Sequence, residues 1–305
     1  MIGKSWLLFS ILALLCWSGS DLFSKIGCGC EEDRLSHLKM LMAVGTVMGL
    51  HAAWELLFNG AEINGEIILE YLPVSCLYIL SMAIGYLGLR YIELSISSPI
   101  CNSSGAIVAA LTIGVYGISE EIPAISLAAV GLVCIGVAGL GITEAREDEE
   151  LRQKRQSERQ YSKSLIAILI PVIYCLLDAL GTFADSVVLE TMDENSANAA
   201  YELTFFAVGI MCGLYVIGVK KQKLSFKQEL PKYTAAAFET AGQFFYINAL
   251  SDSAHVALSA PVISSYCVAS VLWSRLFLKE KLSGKHYACI AIVVLGIIIL
   301  GVLDI

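Results

Sequence analysis

The apolar residues of this chain come in ten blocks of about twenty residues each, five on either side of one charged stretch. The blocks fall near 5–26, 36–58, 70–88, 94–117 and 125–143, then 163–186, 197–219, 231–250, 254–277 and 286–303. A helix needs roughly 20 apolar residues to cross a hydrocarbon core. Inside lipid every backbone polar group must be satisfied within the protein, so long continuous apolar runs read as helices. An outer-membrane barrel would instead show ten-residue segments of alternating polarity. Composition agrees: 57% of residues are hydrophobic and 16% charged, with mean hydropathy +0.72, where a soluble domain carries about 25% charged residues. The first block, Trp6 to Leu15 after Lys4, resembles a signal peptide. A chain with nine further blocks needs no cleaved leader, so it is taken as a spanning helix. The expected fold is an all-α membrane protein of ten transmembrane helices.

The charged stretch, Glu144–Lys163, is the long run without an apolar block. It divides the chain into a first five-helix unit at 1–143, a linker at 144–162 and a second five-helix unit at 163–305. Its near balance of acids and bases predicts a solvated helix laced with i,i+4 pairs, or a tether. Lys and Arg concentrate in the linker and in the loops after helices 1, 3, 7 and 9, while the opposite loops carry Glu62, Glu66, Glu120, Glu121, Glu190 and Asp193. By the positive-inside rule the linker is cytoplasmic and both termini lie outside. The expected location is a bacterial inner membrane, with the lipid bilayer as the protein's surroundings and a homodimer left open as its assembly.

Several classes drop out. A net charge of -8, with no basic patch among aromatics, speaks against nucleic acid as a partner. Cys28 and Cys30 form the only close cysteine pair, and without a nearby His or second pair no metal is expected. His37, His51, His255 and His286 have no partner at metal or triad spacing. Phosphate loops and intramembrane protease motifs are missing, so neither ATP nor another cofactor is implied and the chain is not expected to be an enzyme.

The second five blocks repeat features of the first. Ser98-Pro99-Ile100-Cys101-Asn102-Ser103-Ser104 in helix 4 matches Ala260-Pro261-Val262-Ile263-Ser264-Ser265-Tyr266 in helix 9. Trp17 and Asp21 in helix 1 are spaced like Tyr174 and Asp178 in helix 6. Five is odd, so the second copy enters the membrane from the other side and the repeats have inverted topology. That arrangement places a substrate site between the halves near mid-membrane. Pro99 and Pro261 each remove a helical donor and predict kinks whose freed carbonyls face protein or a wet cavity.

These residues carry a family resemblance. Trp17-Ser18-Gly19-Ser20-Asp21, with Lys25 eight places after the tryptophan, resembles the opening of many members of the drug/metabolite transporter superfamily in its EamA branch. The Pro of helices 4 and 9, followed by Glu120-Glu121 and by Leu278-Lys279-Glu280-Lys281, is similar to the same family. The resemblance implies a ten-helix carrier of small metabolites or drugs, with a central cavity lined by both halves. Asp21 departs from it, since the family often has a neutral residue there.

An ionisable residue at mid-membrane costs about 2.5–3.5 kcal/mol on insertion scales and so marks a functional candidate. Glu239 sits near the middle of helix 8, with Gln243 and Tyr246 on the same face at i+4 and i+7. It is expected to hold a substrate or a proton. Asp21 and Asp178 are expected to face the same cavity from matched positions. Asn102, Ser103, Ser264, Ser265 and Tyr266 offer hydrogen bonds to a polar substrate, and Trp17, Tyr78, Tyr174 and Tyr201 offer aromatic walls. Asp185 and Glu202 lie nearer helix ends and are expected at the headgroup interface. The function expected is secondary transport of a small-molecule substrate, export being favoured on family grounds. The alternative is a non-transporting membrane scaffold or sensor.

Overall fold

In a computed structural model of the chain, the structure describes residues 6–29, 33–90, 94–117, 123–154, 165–252, 255–278 and 282–303. Among these residues there is no strand. The helices are α1 (Trp6–Cys28), α2 (Ser36–Trp54), α3 (Gly65–Leu89), α4 (Leu94–Cys101), α5 (Ser104–Tyr116), α6 (Ala124–Lys154), α7 (Leu165–Val188), α8 (Glu194–Gly213), α9 (Phe226–Leu250), α10 (Val256–Ser264), α11 (Tyr266–Trp273) and α12 (Gly284–Leu303). α4 with α5, and α10 with α11, each make one broken span, so the described helices form ten segments.

Seven of these are long and apolar enough by themselves to cross a membrane, and Ala124–Leu140 and Gly284–Leu300 are shorter apolar stretches. α9 falls in neither set because it holds Lys227, Glu229, Lys232 and Glu239. Glu229 and Lys232 are turned inward and buried. Elsewhere large apolar side chains such as Leu57, Phe58, Leu69, Ile135 and Leu214 face outward, while Asp185, Glu202 and many serines are buried. An apolar exterior around a polar interior is stable in lipid and costly in water.

The packing obeys an exchange of the two halves. α1 lies along α9 as α7 lies along α3, and α2 meets α8, α5 crosses α10 and α6 meets α12 across the centre. α2 ends in a π-helical turn, Glu55–Asn59, and its counterpart α8 ends in another, Leu214–Val219. Gly85 on α3 faces the Tyr174 ring on α7, and Gly242 on α9 faces the Trp17 ring on α1. Both pairs are related by the same step along the chain that carries Trp17 to Tyr174.

Three sequence expectations change. The spans containing Pro99 and Pro261 are interrupted rather than bent at the prolines. The breaks follow at Asn102-Ser103 and at Ser265, where Ser103 N turns to Ile100 O (3.3 Å) and Ser265 N is shared between Pro261 O (3.1 Å) and Val262 O (3.2 Å). The fifth span does not stop at 143, since α6 continues to Lys154. The rest of the linker, Cys30, Glu120-Glu121 and Lys279-Glu280-Lys281 lie outside the described residues. Asp185 and Glu202 are not interfacial. Both are fully buried because the helix ends carrying them are covered by neighbouring helices of the other half.

Candidate functional site

A cavity with about 940 Å³ of empty space, counting its opening, lies between the halves. Both repeats line it: α1, α3 and α4 from the first, α7, α8, α9, α10 and α11 from the second. Of the residues singled out by sequence, Trp17, Asp21, Asn102, Asp178, Glu239, Gln243, Tyr246, Ser264 and Tyr266 line it together. Ser103 and Ser265 do not. The Ser103 hydroxyl donates to the Pro99 carbonyl (3.0 Å), and the Ser265 hydroxyl donates to the Val262 carbonyl (2.5 Å), each satisfying backbone beside a helix break. Ser103 borders a smaller space behind the break, with Asn102, Pro261 and Ser264.

The broken spans bring this about. A Cβ added to Gly105 would lie 2.5 Å from Ser264 Oγ and 2.8 Å from the Ala260 carbonyl oxygen. The absence of a side chain at Gly105 thus lets α5 cross α10 at the break. The turns carry Asn102 and Ser264 to the cavity wall, and Asn102 is held there by its amide nitrogen donating to the Ser98 carbonyl (2.8 Å).

Three carboxyl groups face the cavity, each gripped by hydroxyl donors. Glu239 Oε2 accepts from Ser20 (2.7 Å). Asp21 Oδ2 accepts from Ser98 (2.6 Å) and from Ser270 (2.7 Å), tying α1 to α4 and α11. Asp178 Oδ2 accepts from Ser104 (2.7 Å). Aromatic rings complete the wall: Trp17 stands 4.9 Å from Tyr246 and 5.9 Å from Tyr266, centroid to centroid. Tyr78, Tyr174 and Tyr201 line it too.

Sequence reasoning missed the closure of one end. The Tyr71 hydroxyl donates to Asp185 Oδ1 (2.6 Å). The Tyr78 hydroxyl lies within reach of Thr182 Oγ1 (3.2 Å), Asp185 Oδ2 (3.3 Å) and the Tyr246 hydroxyl. This buried network joins α3 of the first half to α7 and α9 of the second, beyond the cavity at the end away from the linker. Its signal was present as two matched spacings of seven, Tyr71/Tyr78 and Asp178/Asp185, which place each pair on one helix face. At the linker end the lining reaches Leu89 and Leu94. Nearby, Lys39 and Lys232 hold Asp33 and Glu229 in a buried ion cluster with separations of 2.9–3.7 Å. A partly buried pair, His51 Nδ1 with Glu202 Oε1 (2.9 Å), joins α2 to α8 outside the cavity. It had no sequence signal, since its partners are 151 residues apart. No group of His, Cys, Asp and Glu suited to a metal occurs among the described residues. Cys28 is buried and free.

Residues 165–302 match the model of the EamA-like transporter family. The second repeat is similar to that family. With a first half that repeats the same architecture, the match supports placing the chain in the drug/metabolite transporter superfamily, as an integral multi-pass membrane protein. None of the curated proteins compared matches this EamA-like chain. A solved structure described only as "Crystal structure of protein" aligns over 98% of this chain and 97% of its own, with TM-score 0.67 and 12% identity. At that identity the likeness shows a shared fold alone.

Proposed function

We propose that this EamA-like protein is a secondary carrier that moves a small molecule through the central cavity by alternating access. The observation that carries the reading is the cavity itself: residues of both halves line it, and a polar network between the halves closes one end. Rocking the halves about the cavity breaks the Tyr71–Asp185 network at one end while the other end closes. Glu239, at the centre with one serine donor, is the residue proposed to hold substrate or a coupled proton. Export is the proposed direction, across a bacterial inner membrane with the linker cytoplasmic and both termini outside. A reporter fused after Ile305 that proves cytoplasmic would reverse that orientation.

Counterflow tests the carrier reading. Purified protein in liposomes is loaded with one unlabelled solute class at a time (amino acids, sugars, nucleosides, polyamines, cationic drugs), and uptake of the labelled solute is followed. A carrier accelerates uptake when the same solute waits on the far side, whereas a channel does not. One class is expected to show this trans-stimulation, and Glu239→Gln to lower it about tenfold or more, a loss of roughly 1.4 kcal/mol. If no class moves, and Glu239→Gln alters thermal stability alone, the chain is a scaffold or sensor.

A further inference from the structure

Burying a carboxylate is costly unless it is paired, and most of this protein follows that rule. Glu229 and Asp33 have Lys39 and Lys232, and Glu202 has His51. The cavity departs from it, as does Asp185 beyond it, whose donors are neutral tyrosines. Asp21, Asp178 and Glu239 line one space, their hydrogen bonds come from neutral serines, and among the described residues that line it none is Lys, Arg or His. A second observation points independently to a ligand. Gln243 Nε2 and the Tyr86 hydroxyl have no partner among the described residues, although the two side chains are only 3% and 6% exposed and both line the cavity. An orphaned amide donor buried at this depth calls for an acceptor on the ligand. The aromatic wall adds faces that attract a cation and bury an apolar body.

We infer that the cavity is a receptor for an organic cation whose body is aromatic or apolar and carries a hydrogen-bond acceptor. The inference rests on the carrier reading for its purpose and on the cavity alone for its chemistry. A zwitterion fits less well, because its carboxylate would enter a space that already holds three carboxyl groups and, among the described residues, no cationic side chain.

The test varies charge on a constant body. Purified protein in detergent is titrated with tyramine (cation), tyrosol (neutral), tyrosine (zwitterion) and 3-(4-hydroxyphenyl)propionate (anion), by calorimetry and by thermal shift. Tyramine is expected to bind about tenfold or more tighter than the other three, an effect of the size cation–π and charge-assisted contacts supply. Glu239→Gln and Asp178→Asn should remove that advantage, weakening tyramine by far more than tyrosol. Gln243→Leu should weaken tyramine and tyrosol together. Equal or tighter binding of tyrosol, tyrosine or the propionate overturns the inference, as does binding of none of the four. The charge series needs no variant, so a substitution that fails to fold leaves it decisive. Liposome exchange separates the two readings. Exchange of the neutral or anionic solute refutes the cation and keeps the carrier. Tyramine that binds and never crosses refutes the carrier and keeps the cation.

Discussion

Asp185 illustrates how one residue's role follows from its partners. It lies two turns from Asp178 on the same helix, yet the two carboxyls have different surroundings: Asp178 meets one serine at the cavity, and Asp185 meets a sheath of tyrosines at the closed end. Asp185→Ala would leave the Tyr71 hydroxyl buried without its acceptor, which costs about 1–3 kcal/mol, while the Tyr78 hydroxyl keeps Thr182 and Tyr246. Asp185→Asn keeps an acceptor and should cost less. Thermal unfolding in detergent reads both. If the closed end is a gate, both variants should also speed labelling of a cysteine placed at position 182, and an unchanged rate would make the network purely structural. The sequence pointed to Asp178 because an acid in mid-span is expensive anywhere. It left Asp185 at the interface because position along a helix does not reveal which neighbours cover its end.

At the scale of elements, the contact of α2 with α8 is set by two glycines. A Cβ on Gly45 would come within 2.6 Å of the Phe205 carbonyl oxygen and 2.8 Å of Gly209 Cα. Both are backbone atoms, so the helices themselves would have to part. Close approach at small residues is the usual basis of helix association in lipid. Gly45→Ala should destabilise the fold by about 1–3 kcal/mol, and Gly209→Ala likewise. Because the two face each other, the double variant should cost less than the sum. Additive melting shifts would mean that the glycines act at separate contacts. The breaks after Pro99 and Pro261 belong to this scale too. The prolines were legible as defects, but the position of each interruption depends on the crossing of α5 with α10 at Gly105, which is a property of two spans together.

For the whole molecule, the two halves are fastened at both ends by different chemistry, tyrosines and an acid at one and four charged groups at the other. In the ion cluster Lys232 and Lys39 compensate Asp33 and Glu229 across the repeat boundary. Lys232→Met should cost about 3–5 kcal/mol, the penalty for leaving a buried charge without its partner. Adding Glu229→Gln should restore part of it. Melting of the single and double variants decides this, and a double variant no better than the single would show that the cluster contributes by packing alone.

The amino-acid sequence by itself determined the all-helical membrane class, and it pointed to the ten apolar blocks, the repeat of features between them and the acids that lie within them. Those follow from quantities that are local along a chain: block length against bilayer thickness, the cost of a charge in hydrocarbon, and an odd repeat. The tertiary structure decided which acids share a space, which are compensated and by whom. Glu239 and Ser20 are 219 residues apart, and Asp21 and Ser270 are 249 apart. A buried polar group takes its character from the partner that meets it, and in a bundle of crossed, interrupted helices that partner is chosen by packing.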